Sequence, residues 1–598
     1  MPTPTALRPP REEPEPGTPA SGRWIALALV VAAPMGLATV PTARFALDDW
    51  FQLAVARGSV GPAQGVAATA PFDLFRFSSG DPDANAEAMA QGLVPWFTDP
   101  AWKLSLWRPL ASALHTLDLH LFGLDPTAAA LHSLAWYVLL CGLVASLYQQ
   151  LLPGRVGGIA GLLFAVAAPH HQAVAWGPAR NALITAALGA AALVAHHRAH
   201  VAGWRAGRPL AWTLLALALL GGEAALGMAA MLLAHVAVHG GPGWRARVRS
   251  GAPYVAITLV WLGAYVAQGH GTARSGAYVN PLDHPIAFAL EVPTRLAASM
   301  AVLLVGAPAE LWFFAPASHL PLALLGLVAT GLGAVWGGRV WRRQAPGTQH
   351  HLTWLALGAL AALVPQLAGQ LGPRSYVIPT LGSCAWIAVV LADARLPRSG
   401  GAAGRVAAGL LALPHVVLAP LVWVGASAFY ARLLDDTEVR FAELGLDDPG
   451  SASRSLVVLT APDALVGFYV PFRFAALHGA TLPGWRAVSF AACDHRLHVT
   501  GERSLELELR GGRLFDTGFE QVLRDPTEAM PVGHAVRLPD LEVRVLATDV
   551  DGRPLRLGLT LARPLEDVEL WAWTDGAMQR LAVPAIGTPL DLRWTARP

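Results

Sequence analysis

Asp48 and Asp49 are adjacent carboxylates placed where the first long apolar run of the chain, Trp24 to Ala43, comes to an end. A run of that length can cross a hydrocarbon core of roughly 30 Å, so the pair belongs at a membrane surface, with Phe45 and Trp50 as aromatic anchors on either side. Two close carboxylates raise one another's pKa. One can then act as a general base, or the pair as a metal site or cation gate. A solvated helix end is the plain alternative.

Other residues stand out by being costly where they are. Glu223 interrupts an apolar stretch of about 30 residues, Pro209 to His239, beside Gly221-Gly222; an ionisable group there is a functional candidate or marks the wet ends of two short spans. Arg374 opens an apolar run in Gly372-Pro373-Arg374-Ser375-Tyr376. An arginine on the outer side of a membrane calls for a partner, either a phosphate, which guanidinium binds through paired charged hydrogen bonds, or a loop acid. Arg108, before Pro109, is a second candidate phosphate ligand. His170 and His171 are adjacent, so they point apart on a helix and suit a polar loop lining a cavity better than one shared metal. His115, Asp118 and His120 read as an amphipathic face. Walker A, zinc-spacing and nucleophile-elbow motifs are absent, and no metal or other cofactor is expected.

The elements that must hold these residues are those of a polytopic membrane protein. Of 598 residues 54% are hydrophobic and 14% charged, against roughly 25% charged in soluble domains. A net charge of +2 supplies no basic field for nucleic acid. Cys141, Cys384 and Cys493 are scattered, which argues against a disulfide framework. Residues 1–23 read as a disordered cytoplasmic tail, and the run after them as an uncleaved first span. A polar, Trp- and Asp-bearing outer loop covers 44–130, within which Ala111 to Gly123 lies flat at the interface. Four basic loops (Arg198, Arg205, Arg208; Arg245, Arg247, Arg249; Arg339, Arg342, Arg343; Arg395, Arg398, Arg405) fall on one side by the positive-inside rule. About eleven spans satisfy them, with the N-terminus inside and the C-terminus outside, provided Leu290–Val305 does not cross. The acid pair, His170-His171, Glu223 and Arg374 then share the outer side. After a linker, 431–450, the stretch 451–598 alternates apolar and polar residues at Leu497–Val499, Ser504–Leu509, Leu541–Ala547, Leu555–Leu561 and Val568–Trp573, with an Asp551-Gly552 turn. This predicts a β-rich, sandwich-like, mostly antiparallel outer domain.

In order along the chain, Asp48-Asp49, then Trp107-Arg108-Pro109-Leu110 leading to Leu131-His132, then Phe164 to Arg180 with Pro169, His171, Trp176 and Arg180, then Arg374-Ser375-Tyr376-Val377-Ile378-Pro379, resemble the GT-C class of membrane glycosyltransferases. The likeness is to the branch of protein O-mannosyltransferases and tetratricopeptide-bearing O-mannosyltransferases, without the repeats. Gln172 departs from the acid common there, and Glu223 lacks the usual preceding lysine. The resemblance implies a GT-C-like helical domain over 24–430 in a bacterial inner membrane. It implies transfer of a mannose-like sugar from a polyprenyl-phosphate donor to a protein or glycan hydroxyl on the outer side. Asp48 or Asp49 would be the base, and Arg374 and Arg108 the phosphate ligands. Glu223, His170, His171, Trp176, Arg180 and Tyr376 would line the cavity or meet the acceptor. The β-rich domain would hold or select the acceptor, so that its removal spares transfer to a small acceptor and abolishes transfer to the natural one. A transporter, or a membrane-anchored binding or assembly protein with a degenerate site, are the alternative readings.

Overall fold

Residues 19–394 and 401–595 are described by the computed structural model of the chain. Most of the expected disordered tail, and Arg395 and Arg398 of the fourth basic loop, lie outside them. The first helix, Pro19–Leu37, begins inside the stretch expected to be tail.

Apolar composition and helix-start chemistry shape the first two thirds of the chain. Proline, whose missing N–H costs nothing in a first turn, opens Pro109–Phe122, Pro126–Leu151, Pro285–Val305 and Pro346–Gln366. Asp125 caps the second of these by accepting from Thr127 N–H at 2.8 Å. Among the described residues seven helices are long and apolar enough to cross a membrane, or eight if the 46° bent pair Gly154–Ala165 and Ala168–Ala175 is one span. The expected number was eleven. The difference is mostly one of length: Gly207–Gly221 and Ala225–His239 have 15 residues each and Thr380–Asp393 has 14. At 1.5 Å per residue these reach about 22 Å, short of a full core. Pro285–Val305, which the count of eleven required not to cross, is one of the seven. Pro109–Phe122 is 14 residues long and is not among the spans.

The predicted break at Gly221-Gly222-Glu223 is present. Gly222 has φ +150, and a β-carbon there would lie 3.1 Å from Asn181 Nδ2 and 3.3 Å from the Arg108 side chain.

The segment expected to be a linker is mostly helix. Ala419–Glu443 runs unbroken out of the bundle and delivers the chain to the C-terminal region. Including the outer loop, the strands are β1 (Arg76–Ser79), β2 (Lys103–Ser105), β3 (Gly271–Ala273), β4 (Leu456–Thr460), β5 (Trp485–Ala487), β6 (Asp494–Gly501), β7 (Ser504–Arg510), β8 (Ala535–Arg537), β9 (Leu541–Thr548), β10 (Pro554–Leu561), β11 (Glu569–Thr574), β12 (Ala577–Arg580) and β13 (Pro589–Leu592). An antiparallel six-stranded sheet has the order β13-β6-β7-β10-β9-β8, its inward Leu497, Val499, Leu505, Leu507, Val543, Val545, Leu557 and Leu559 all buried. Asp551-Gly552 turns β9 into β10, with Gly552 at φ +77. The second sheet, β12-β11-β4-β5, departs from an antiparallel sandwich because β4 pairs in parallel with both β5 and β11. A parallel pair needs a crossover, and here it is the helix Ala464–His478.

That region and the outer loop share one core. Phe51, Phe75, Trp96 and Phe97 from the loop are buried in the same cluster as Phe472, Trp485, Phe490 and Phe515. Backbone-level ties cross between them: Asp99 N–H to Leu523 O at 3.1 Å, Trp96 Nε1–H to Val488 O at 2.9 Å, and Arg57 Nη1 to Ala476 O at 2.6 Å.

Candidate functional site

The loop, the helical bundle and the C-terminal region together enclose a cavity of about 260 Å³. Its wall is largely apolar, including Phe75, Phe77, Phe313, Phe314, Phe468 and Phe519, and into it face Asp48, Arg108, His171, Gln172, Trp176, Tyr278, Glu310, Arg374, Tyr430 and Tyr469.

The acid pair is split between two chambers. Asp48 is the first residue of the helix Asp48–Ala56 and follows Leu47, whose φ of +52 is a conformation that side chains other than glycine adopt at a cost. It faces the large cavity, where Oδ1 accepts the phenol proton of Tyr469 at 2.8 Å. Burial raises Asp48 above the ordinary carboxylate range, opposed by that hydrogen bond and by the charges of Arg374 and Arg108. Asp49 turns the other way, into a small pocket lined by Gln52, His115, Asp118 and Arg180. Its Oδ2 accepts Ala46 N–H at 2.9 Å, closing the first turn of the helix. Burial pushes its carboxyl up to about 8, with the Asp48 charge adding to the rise.

Arg374 sits in the short 3-10 turn Pro373–Tyr376. Its guanidinium lies 5.3 Å over the Trp176 ring, and its own N–H donates to Gln172 Oε1 at 3.2 Å. Gln172, which stands in place of an acid, thus holds the arginine's backbone and supplies no charge to its guanidinium. Among the described residues nothing forms an ion pair with Arg374. Burial draws its guanidinium below its ordinary value.

Arg108 also faces the cavity but already has a partner. Its Nε donates to Glu223 Oε2 at 2.8 Å, Trp107 N–H donates to Glu223 Oε1 at 3.1 Å, and the guanidinium lies 4.8 Å over the Phe75 ring. Glu223 is thus the clamp for Arg108 and is not among the cavity-lining residues. Its cost at the break between two short helices is offset by that ion pair.

Three other expected lining residues are elsewhere. Arg180 is fully buried, bonded to Asp118, to Ser133 Oγ at 2.8 Å and to Ala129 O at 2.7 Å. Asp118 also meets His132 Nδ1 at 2.6 Å. Burial alone would raise Asp118, but His132 and Arg180 bring it below its ordinary value. Asp118 is therefore a structural acid, and His115 beside it is held by burial down to about 3. His170 is buried against Phe164 and meets Thr380 Oγ1 at 2.9 Å. Tyr376 is buried with its hydroxyl 3.3 Å from Ser299. His171 does line the cavity, with Nε2 3.3 Å from Glu310 and its ring stacked on Tyr430. Trp176 lines it too and donates to Ala46 O at 3.1 Å. Tyr469, Tyr278, Tyr430 and Glu310 were missed from sequence. Glu310, in an apolar neighbourhood like Glu223, carried the same signal. Among the described residues no group of three His, Cys, Asp or Glu side chains could hold a metal.

No family model and no curated protein matches the sequence. Solved structures do match. ArnT from Cupriavidus metallidurans bound to undecaprenyl phosphate is 15% identical, with 78% of this chain and 90% of that chain covered and a TM-score of 0.41. The Archaeoglobus fulgidus oligosaccharyltransferase tethered to an acceptor peptide is 14% identical, with 78% of this chain and 64% of that chain covered and a TM-score of 0.40. The archaeal oligosaccharyltransferase AglB of the same organism, in complex with an inhibitory peptide and a dolichol-phosphate, is 14% identical, with 79% of this chain and 65% of that chain covered and a TM-score of 0.41. The present chain spans just under two thirds of the length of those two.

Proposed function

We propose that the chain is a GT-C class glycosyltransferase that moves a sugar, mannose-like by its sequence motifs, from a polyprenyl-phosphate donor to an acceptor hydroxyl on the outer side of the membrane. The observation that carries this reading is the pairing, in one apolar cavity, of a carboxylate with an arginine that has no ion-pair partner among the described residues, Asp48 and Arg374. An arginine held without an ion-pair partner in a dry wall is costly unless an anion comes to it, and a lipid phosphate is an anion with an apolar tail suited to such a wall.

In this reading Asp48 takes the proton of the acceptor hydroxyl while the acceptor oxygen bonds to the anomeric carbon. The bond from that carbon to phosphate breaks, and its electron pair leaves with the phosphate. Arg374 meets the growing charge on the leaving group, with Arg108 beside it. Two guanidinium groups can stabilise a monophosphate leaving group, so no resident metal is invoked. Asp49, turned out of the cavity, shapes the helix start that aims Asp48. The reading takes the cavity and the C-terminal region to lie on the outer face, supported by the positive-inside pattern of the basic loops.

The test is single-turnover consumption of a polyprenyl-phosphate mannose in membrane vesicles that carry the protein and its acceptors. Asp48→Asn should lower the rate roughly 10²–10⁴-fold, the usual scale for a lost general base, with donor binding retained. A wild-type rate in that variant ends the reading.

A further inference from the structure

The C-terminal region was expected to hold or select an acceptor; its contacts also bring it into the lining of the site. We propose that Tyr469, supplied by the crossover helix Ala464–His478, is the positioning residue for Asp48, so that the catalytic unit comprises the helical bundle and the C-terminal region together. This rests on the reading of Asp48 as the base.

The geometry argues for it in three steps. First, Tyr469 is 5% exposed and its hydroxyl lies 2.8 Å from Asp48 Oδ1. An ionised carboxylate accepts only, so the phenol donates. Among the described residues no group hydrogen-bonds Asp48 Oδ2, which leaves that oxygen for the proton of the acceptor.

Second, the helix that carries the phenol is pinned from both sides. Asp463 caps its start, accepting from Leu465 N–H at 2.9 Å. Arg57, at the end of Asp48's own helix, donates to Ala476 O at 2.6 Å, and Phe51 packs on Phe472 with ring centroids 5.2 Å apart. Arg473 on the same helix pairs with Glu438 of Ala419–Glu443 at 2.6 Å and lies 5.7 Å over Trp50. The helix cannot move away from Asp48 without undoing these ties.

Third, the hydrogen bond favours the charged form of the carboxylate, which a base needs in a dry cavity. The other charged and titratable groups around it are Asp49 beside it, Arg374, Arg108 and Tyr278, with Arg44, His171 and Glu310 elsewhere in the lining. A change confined to the Tyr469 hydroxyl leaves all of them in place. In the reaction Tyr469 keeps its proton: the acceptor proton goes to Asp48, and the bonding pair leaves with phosphate.

The pH profile of polyprenyl-phosphate mannose consumption in vesicles distinguishes positioning from mere packing. Tyr469→Phe keeps the ring and removes the donor. Its acid limb should move up by about one pH unit, the scale of one hydrogen bond to a charge. The rate should then fall roughly tenfold below the limb and converge on wild type above it. Full-length protein with 3-fluorotyrosine at 469, a stronger donor of the same shape, should move the limb the opposite way. A loss equal at every pH, or limbs that do not move in either protein, overturns the proposal. Asp48→Asn is run alongside. If it is inactive while the limbs stay fixed, the role of Tyr469 alone falls; if it is active, the reading of Asp48 falls first.

Discussion

Gly177 touches the machinery at one point, and the contact can be converted into a number. A β-carbon built on it would lie 2.6 Å from Asp49 Oδ1 and 3.7 Å from both Asp49 Cγ and His115 Cε1. Non-bonded heavy atoms settle at about 3.5 Å, so Gly177→Ala must push the carboxyl by about 0.9 Å. Asp49 cannot yield freely, because Oδ2 is bound to Ala46 N–H at 2.9 Å; a shift of that size takes the bond past hydrogen-bonding distance. Leaving that buried N–H unpaired costs about 1–3 kcal/mol. The displaced group is the second residue of a helix whose first is Asp48, so the proposed base moves too, and a misplacement near 1 Å costs on the order of 10² in rate. Gly177→Ala is therefore expected to fold with a modestly lower melting temperature and to turn over donor about 100-fold more slowly, its donor affinity unchanged. Consumption of labelled polyprenyl-phosphate mannose, with thermal unfolding in detergent, measures both. A wild-type rate would refute the chain of contacts from Gly177 through Asp49 to Asp48.

Other expectations concern separate groups. Arg374→Ala should weaken donor binding and turnover together, seen as a rise in donor Kd and a fall in the single-turnover rate; an unchanged Kd would remove Arg374 from the phosphate site. Asp49, held up at about 8, binds a proton in the native state between roughly pH 4 and 8 that the unfolded chain has lost. It therefore makes the protein progressively less stable as pH rises through that window, with the full penalty above about 8. Asp49→Asn should flatten this decline in melting temperature, and a variant with the same slope as wild type would contradict it. Arg180→Met leaves Asp118 without its buried arginine and should destabilise by about 3–5 kcal/mol, read as lost folded yield; the folded fraction should bind donor normally.

What could be read from sequence follows from which forces act locally. The six-stranded sheet was legible because one face is buried and the other wet, so alternation survives along each strand. The break at Gly222 was legible because glycines and an acid cannot sit unmarked in an apolar run. The helix Ala464–His478 was not. Its Val466-Gly467-Phe468-Tyr469-Val470-Pro471 core is poor in helix formers and carries an internal proline, so propensity argued against the outcome and burial overrode it. The only local signals were Asp463 at the cap and Gly479, at φ +71, after the end. Glu223 looked like a site residue because its cost was visible and its partner was not, Arg108 being 115 positions away. Arg180 stood among motif residues for the same reason: an arginine bound for burial and one bound for a cavity look alike until their acids are located. Asp48 and Asp49 are identical in type and adjacent, and only the packing of their helix decides that one meets the cavity and the other the loop beneath it.

The shared core of the outer loop has a consequence for biogenesis. Asp48 waits 421 positions for Tyr469, and Phe51 waits as long for Phe472. During synthesis the loop from Phe45 to Trp107 is made first, with Trp50, Phe51, Phe75, Trp96 and Phe97 exposed, and must stay so while every later helix of the bundle is inserted. Closing contacts that distant is slow, and exposed aromatic surface invites aggregation in the meantime. Under the proposed function the nascent chain would be inactive until its last quarter has emerged, which would protect lipid-linked sugar from half-made enzyme. It also makes the unfinished loop a client for whatever shields apolar surface outside the membrane.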